Sequence, residues 1–466
     1  MRRFLLTVLA GVALAVSAQS PKYIFYFIGD GMGMGPVMSA LNYKRLVKPQ
    51  EEPLLMTSLP VVSFCQTWSA STPVTDSAAA GTALATSHKT RNGMLGMDAD
   101  TVSVNSVAKY LKDEGWGVAL LTTVAPDDAT PAAFYAHVPS RKMFYDIDIQ
   151  VANSNYDFIA GSALRGLKDK DGNPTDVMDV LASNGYKVVY GPEGMATISD
   201  TQKVILLGNP EINGNESNVS YTIDSIPGAL NLPDMTRAAL EHLLRVSPDK
   251  FFMMVEGGNI DHALHANDGG AATKEVINFD SAIAVAYQFY LQHPDETLIV
   301  ITADHDTGGL TVGNRTLSYN ARLEYIDSQK VSKEEFSKYC KTLVKENAPA
   351  PQWQTMRDYL AENLGFWKVV PVTDKQTQML KNEFEDMVNK KHEDQKSLYA
   401  SFDKFAVTVF RLFNDAAGYG FTTGSHTGNP VPVFAVGRDA DNFKALNNNV
   451  DIPDILLKVA VGKNLK

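Results

Sequence analysis

The stretch Thr75-Asp76-Ser77-Ala78-Ala79-Ala80-Gly81 sets one hydroxyl, Ser77, between two runs. Before it, Val61 to Trp68 is apolar and strand-like; after it, an alanine-rich, helix-like run continues to Ala85. A helix start exposes free N–H groups and partial positive charge, so it favours an anion. Taken alone, Ser77 reads as a helix cap, a common role for serine there. Other chemistry-bearing residues shift that reading. Asp30 follows the apolar run Lys22 to Ile28, within Gly29-Asp30-Gly31-Met32-Gly33. Glu256 ends the run Phe251 to Val255, with Asp261, His262 and His265 shortly after. Asp304 and His305 end the run Thr297 to Ala303. His426 lies in the small-residue loop Gly424-Ser425-His426-Thr427-Gly428, just before the apolar run Val431 to Val436.

Asp261 and His265 are spaced to share one face of a helical turn, which suits two ligands on one divalent ion. Asp304 and His305, adjacent at a strand exit, can both point into a cleft. Each segment has a structural alternative: a solvated Asp30 in a glycine turn, a solvated His426 in a flexible loop, His262 as a polar neighbour. Acidic and histidine positions repeated at the same end of successive strands are hard to attribute to chance. Histidine with carboxylate suits zinc, whereas carboxylate with hydroxyl suits magnesium.

Continuous apolar strands alternating with helical patterns must position these residues. The pattern predicts helices over Ser103 to Glu114, Asp234 to Arg245 and Ala271 to Tyr290, and a strand over Gly117 to Thr123. A turn at Asp127-Asp128-Ala129-Thr130-Pro131 leads into a helix predicted to reach Arg141. Phe158 to Gly161, Lys187 to Tyr190 and Lys203 to Leu207 read as short strands. This predicts an α/β fold with a doubly wound, mostly parallel central sheet flanked by helices. From 316 to 418 charged helical patterns replace buried strands, with cap signals at Ser332/Glu335 and Thr373/Gln376. We read four segments: a signal peptide over 1–18, catalytic α/β parts over 19–315 and 419–466, and a helical insertion over 316–418.

The chain has 466 residues and a net charge of −11, which argues against wholesale nucleic-acid binding. An acidic chain that binds an anion needs local positive charge, and metal ions are an obvious source. Arg2 and Arg3, the apolar run Phe4 to Val16 and the small residues before Gln19 read as a secretory signal, too short to span a membrane. The product is expected in the periplasm or outside the cell. Cys65 and Cys340 exclude a disulfide framework, and their pairing is open.

Taken in order, these motifs resemble those of the alkaline phosphatase family. They are Ile28-Gly29-Asp30-Gly31-Met32-Gly33, Thr75-Asp76-Ser77-Ala78-Ala79, Asp128-Ala129-Thr130-Pro131, Arg141 after His137-Val138-Pro139-Ser140, Glu256 to His265, Thr302 to His305, and His426-Thr427-Gly428. The resemblance spans roughly Tyr23 to Val436. It implies hydrolysis of phosphate monoesters with two zinc ions and one magnesium, a phosphoserine on Ser77, and a homodimer. It assigns Asp261, His265 and His426 to one zinc, and Asp30, Asp304 and His305, joined by Ser77, to the second. It assigns Asp30, Thr130 and Glu256 to magnesium, with Asp128 acting through waters. Arg141 would clamp two phosphate oxygens, and Asp76 would position the segment or Arg141. His262 matches the animal enzymes, where the enterobacterial enzyme has lysine; acidic Asp128 matches the bacterial pattern.

Two alternatives stand beside this reading: a superfamily relative, either a phosphodiesterase or a sulfatase, and a non-catalytic binding protein. A phosphodiesterase of the same superfamily would usually have a threonine nucleophile and lack the Thr130/Glu256 pair. A sulfatase needs a Cys/Ser-x-Pro-x-Arg segment, which Ser77-Ala78-Ala79-Ala80 lacks. A non-catalytic metal- or phosphate-binding protein would be expected to have lost a ligand or the serine.

Overall fold

The computed structural model describes residues 20–199, 203–213, 216–346, 352–390 and 394–465. The segment read as a signal peptide, 1–18, lies outside them. Nine strands build one sheet: β1 (Tyr23–Gly29), β2 (Val61–Cys65), β3 (Gly117–Thr122), β4 (Phe158–Gly161), β5 (Tyr186–Tyr190), β6 (Lys203–Leu207), β7 (Phe251–Glu256), β8 (Thr297–Ala303) and β9 (Val431–Gly437). Their order is β2-β9-β8-β1-β7-β3-β4-β6-β5. From β8 to β5 every pairing is parallel, and β9 runs antiparallel to both β8 and β2. Every residue of β1, β3, β7 and β8 is buried. Helices cover both faces of such a sheet, so its strands must be apolar throughout rather than alternating.

Register brings the chemistry-bearing ends level. Ile28 pairs with Glu256, Thr122 pairs with Glu256, and Gly29 pairs with Ala303. Asp30, Glu256 and Asp304 therefore leave one edge of the sheet from neighbouring strands, where open α/β sheets place their sites.

Two helix predictions need correction. The helix expected to run on to Arg141 stops after one turn, Ala129–Ala132. Val138 instead bridges to Leu95, Pro139 follows, and the Arg141 N–H donates to the Gly93 carbonyl at 2.8 Å. The helix lies further on, Phe144–Ser154. The alternation Tyr145-Asp146-Ile147-Asp148-Ile149 hides its period, but Ile147, Asp148, Val151 and Ala152 share the buried face. The helix predicted from Ser103 starts at Val107, because the Ser106 hydroxyl caps it by accepting from the Lys109 N–H at 3.1 Å.

Beyond β8 the chain passes a neck. Thr311–Val312 pairs antiparallel with Tyr419–Gly420, and the Gly313 N–H donates to the Gly418 carbonyl at 2.7 Å. Between the two sides lie the helices Lys333–Glu346, Trp353–Asn363, Asp374–Val388 and Lys404–Ala417, with a short hairpin, Gln395–Lys396 against Ser401–Phe402. Phe336, Leu360, Leu380, Phe384, Phe405, Phe410 and Phe413 form an apolar cluster separate from the one around the sheet. Thr373 and Gln376 make the reciprocal capping box. Ser332 accepts from the Glu335 N–H at 3.1 Å, but its hydroxyl donates to Asp224 at 2.9 Å. Cys65 is buried in the sheet core and Cys340 in the second cluster, both as free thiols. Among the described residues no helix is long and apolar enough to cross a membrane.

Candidate active site

The helix Ser77–Thr86 is capped by Asp76, not by Ser77. Asp76 Oδ1 accepts from the Ala79 N–H and Oδ2 from the Gly93 N–H, each at 2.9 Å. Ser77 is thus the first helical residue. Its hydroxyl is released from capping, fully buried, and 3.1 Å from His305 Nε2. It stands at the positive end of the helix, a setting that favours a negatively charged group.

Arg141 is held from two sides, donating from Nη2 to Asp128 Oδ1 at 2.7 Å and lying 3.6 Å from Asp76 Oδ2 through Nη1. Asp128 caps the turn Ala129–Ala132 and lies 3.2 Å from a second guanidinium, that of Arg165. Arg165 also donates from Nε to Asp127 Oδ1 at 2.6 Å and packs over the Phe144 ring, 4.1 Å from its centroid. Burial alone would raise the Asp128 carboxyl, but Arg165 and then Arg141 outweigh it and hold it well below the usual range.

The histidines are oriented by backbone carbonyls. His265 Nδ1 lies 2.7 Å from the Gly424 carbonyl and His426 Nδ1 lies 2.8 Å from the Thr75 carbonyl. A carbonyl only accepts, so each Nδ1 carries the proton and Nε2 presents a lone pair. Those two Nε2 atoms face each other at 3.0 Å. Two lone pairs at that separation repel unless a cation or a proton lies between them. Asp261 joins them, with Oδ2 at 3.3 Å from His265 Nε2 and its other oxygen accepting from the Thr307 hydroxyl. The His305 ring stacks on His426 at 3.6 Å, and its Nε2 lies 3.1 Å from Asp304 and 3.4 Å from Asp30.

Five buried oxygens in this region have no hydrogen-bond partner, Asp30 Oδ1, Thr130 Oγ1, Glu256 Oε1, Asp261 Oδ2 and Asp304 Oδ2, whereas Asp128 Oδ2 faces the Arg165 guanidinium. Leaving so many buried oxygens unsatisfied costs several kcal/mol unless cations satisfy them. Burial, and then the charges of Asp304 and Asp261, push the Asp30 carboxyl far above the usual carboxylate range. Burial pushes Glu256 up to about 8, against the hydrogen bond it accepts from Thr122. The ligand atoms of Asp30, Asp304 and His305 lie within 4.8 Å of one another, as do those of Asp261, His305 and His426. Nitrogen and carboxylate donors together fit zinc, and the Thr130, Glu256 and Asp30 oxygens fit a hard cation such as magnesium.

All the residues singled out in the sequence lie in this one region, with His262 buried behind the ligands and pushed down to about 4 by that burial. Three partners escaped the sequence reading. Arg165 lies just past the end of β4, so scanning strand ends for arginine as well as for acids would have found it. Thr307 and Tyr399 gave no signal: a single threonine past a strand, and a tyrosine inside the insertion.

A family profile described as alkaline phosphatase matches residues 21–162 and 158–461. The chain is 30% identical over 452 residues to alkaline phosphatase 4 of Bacillus subtilis (strain 168), covering 94% of this chain and 88% of that protein. Its fold is similar to the cold-active alkaline phosphatase of a psychrophilic Shewanella sp., with a TM-score of 0.79 and 28% identity over 94% of this chain and 99% of that one. The Thermus thermophilus alkaline phosphatase shares the fold at a TM-score of 0.79 and 24% identity, over 98% of this chain and 96% of that one. The profile match, the full-length relative and the strand-end site together show that this chain belongs to the alkaline phosphatase family, whose members are phosphoric monoester hydrolases.

Proposed function

We propose that this chain is an exported phosphomonoesterase that works through a phosphoserine on Ser77, with two zinc ions and one magnesium. One observation carries the reading: a buried serine hydroxyl at a helix start lies 3.1 Å from a histidine nitrogen, among buried acidic oxygens without partners. Asp261, His265 and His426 would hold one zinc. Asp30, Asp304 and His305, joined by Ser77, would hold the other. Asp30, Thr130 and Glu256 would hold magnesium, with Asp128 reaching it through water. When bound, such ions favour the deprotonated serine and water and neutralise charge on the departing oxygen.

The chain's own groups do the rest. Ser77 Oγ attacks phosphorus in line, the bond to the leaving alcohol breaks, and the phosphoryl group remains on Ser77. Water then attacks the same phosphorus, releasing inorganic phosphate and restoring the hydroxyl. Arg141 binds two phosphoryl oxygens through its planar fork. Asp76 and Asp128 hold that fork in place, and Asp76 acts by position rather than as a base. The helix N–H groups face the anion throughout.

The leader pattern supports release into the periplasm or the medium, and the family resemblance supports a homodimer. The second apolar cluster, drawn from Val331 to Phe413, supports an insertion, proposed as 316–418, between catalytic parts 19–315 and 419–466, with Leu323, Ile326 and Ala417 packing into the sheet cluster. The test is turnover of p-nitrophenyl phosphate with and without a chelator, beside a phosphodiester, plus metal content by mass spectrometry. The expected result is chelator-sensitive monoester hydrolysis and three metal ions per chain. Faster diester hydrolysis would overturn the reading.

A further inference from the structure

The insertion reaches the site. Its hairpin, Gln395–Lys396 against Ser401–Phe402, carries Tyr399 in the connecting turn. The Tyr399 ring lies flat on His262, with centroids 3.7 Å apart and planes at 27°, and edge-on to His265 at 5.3 Å. Ser397 Oγ donates to the His265 carbonyl at 3.3 Å. The same corner is gripped twice more: Lys333 Nζ donates to the Ala266 carbonyl at 2.8 Å and Asn414 Nδ2 to the Asn267 carbonyl at 2.7 Å. Three contacts from the insertion thus meet the corner that follows His265, and Tyr399 packs against the same corner.

The Tyr399 side chain is half-buried against His262 and His265. A protonated phenol is an O–H donor. Besides Arg141 and the helix N–H groups, a phosphoryl group in this acidic site has few donors on the chain to meet its outward oxygens.

We propose that Tyr399 is a substrate-contacting residue: its hydroxyl donates a hydrogen bond to a phosphoryl oxygen, while its ring closes the site over His262 and His265. This rests on the phosphomonoesterase reading for the nature of the anion. It gives the insertion a part in binding.

The test uses the full-length, metal-loaded protein and three variants: Tyr399→Phe, which keeps the ring and removes the hydroxyl, Tyr399→Ala, and Leu398→Ala as an exposed neighbour. Binding of inorganic phosphate by calorimetry is read beside kcat and KM for p-nitrophenyl phosphate. The loss of one hydrogen bond to an anion should weaken phosphate binding and raise KM by roughly tenfold in Tyr399→Phe, with metal content unchanged. Tyr399→Ala should lose at least as much, and Leu398→Ala should match wild type. Wild-type phosphate affinity and KM in Tyr399→Phe would overturn the proposal, whatever Tyr399→Ala does. If wild type binds phosphate, Tyr399→Phe binds it more weakly, and neither turns over a monoester, Tyr399 stands and the catalytic reading falls.

Discussion

The two apolar clusters are built on opposite principles. Around the sheet, fully buried strands end in crowded carboxylates and histidines, several of whose oxygens have no hydrogen-bond partner. In the helical insertion, Phe336, Phe384, Phe405, Phe410 and Phe413 fill an ordinary core, and Thr373 and Asp403 cap two of its helices. The first region gives up stability at one edge to hold charge where charge is costly. The second has no such edge, and Tyr399 is its one ring stacked on the site's histidines among the described residues. Chemistry and stability are thus separated in space, which is why changes in the two regions should be read out differently.

The sharpest test of that separation is Ser77→Ala. It should lower kcat on a monoester by about 10⁴-fold or more, as loss of a nucleophile does. The thermal midpoint should stay near wild type, since an alanine continues the helix. A large fall in the midpoint would mean that the hydroxyl is structural. Next come paired core truncations, Phe25→Ala in β1 and Phe410→Ala in the insertion, each expected to cost about 3–5 kcal/mol. Amide hydrogen exchange should show Phe410→Ala loosening the helices Asp374–Val388 and Lys404–Ala417 while β1 and β7 stay protected. Equal loss of protection in both regions would make them one cooperative unit and break the comparison.

Asp76→Ala removes a cap and one support of Arg141. It should lower stability by about 0.5–2 kcal/mol and raise KM for a monoester, where a cap alone would change only stability. The smallest effect is expected at the joint between the regions, where Asp224 accepts from the Ser332 N–H at 2.6 Å and from its hydroxyl at 2.9 Å. Burial pushes the Asp224 carboxyl up to about 7. Between about pH 4, the unfolded value, and about pH 7, the folded carboxyl keeps a proton that the unfolded one has released. Stability contributed by this group is therefore present at low pH and lost as pH rises through that window. Asp224→Asn should flatten the decline of the thermal midpoint there, and an unchanged slope would refute the assignment.

The strands and the acids at their ends were legible because a doubly covered parallel sheet demands continuous apolar runs, and such runs stop visibly at Asp30, Glu256 and Asp304. Local ambiguity hid other features. Asp76 and Ser77 are both good caps, and only the N–H groups of Ala79 and Gly93 decide between them. Residues 144–154 alternate like a strand yet bury a helical face, because burial there is set by packing rather than by local propensity. Arg165 and Tyr399 come to the site through tertiary contacts, which no spacing along the chain encodes.

The neck has a consequence for how the molecule assembles. His305 and His426 lie the same number of residues before and after the Thr311–Gly420 pair, while Thr427 meets Asp306 across 121 positions of chain. Closing so long a loop from an open coil carries an entropy cost that grows with its length. An insertion that has already folded, with its two ends joined at Gly313 and Gly418, removes nearly all of that length. Joining the two ends of the helical region at the neck therefore lowers the entropy cost of holding His426 beside His305.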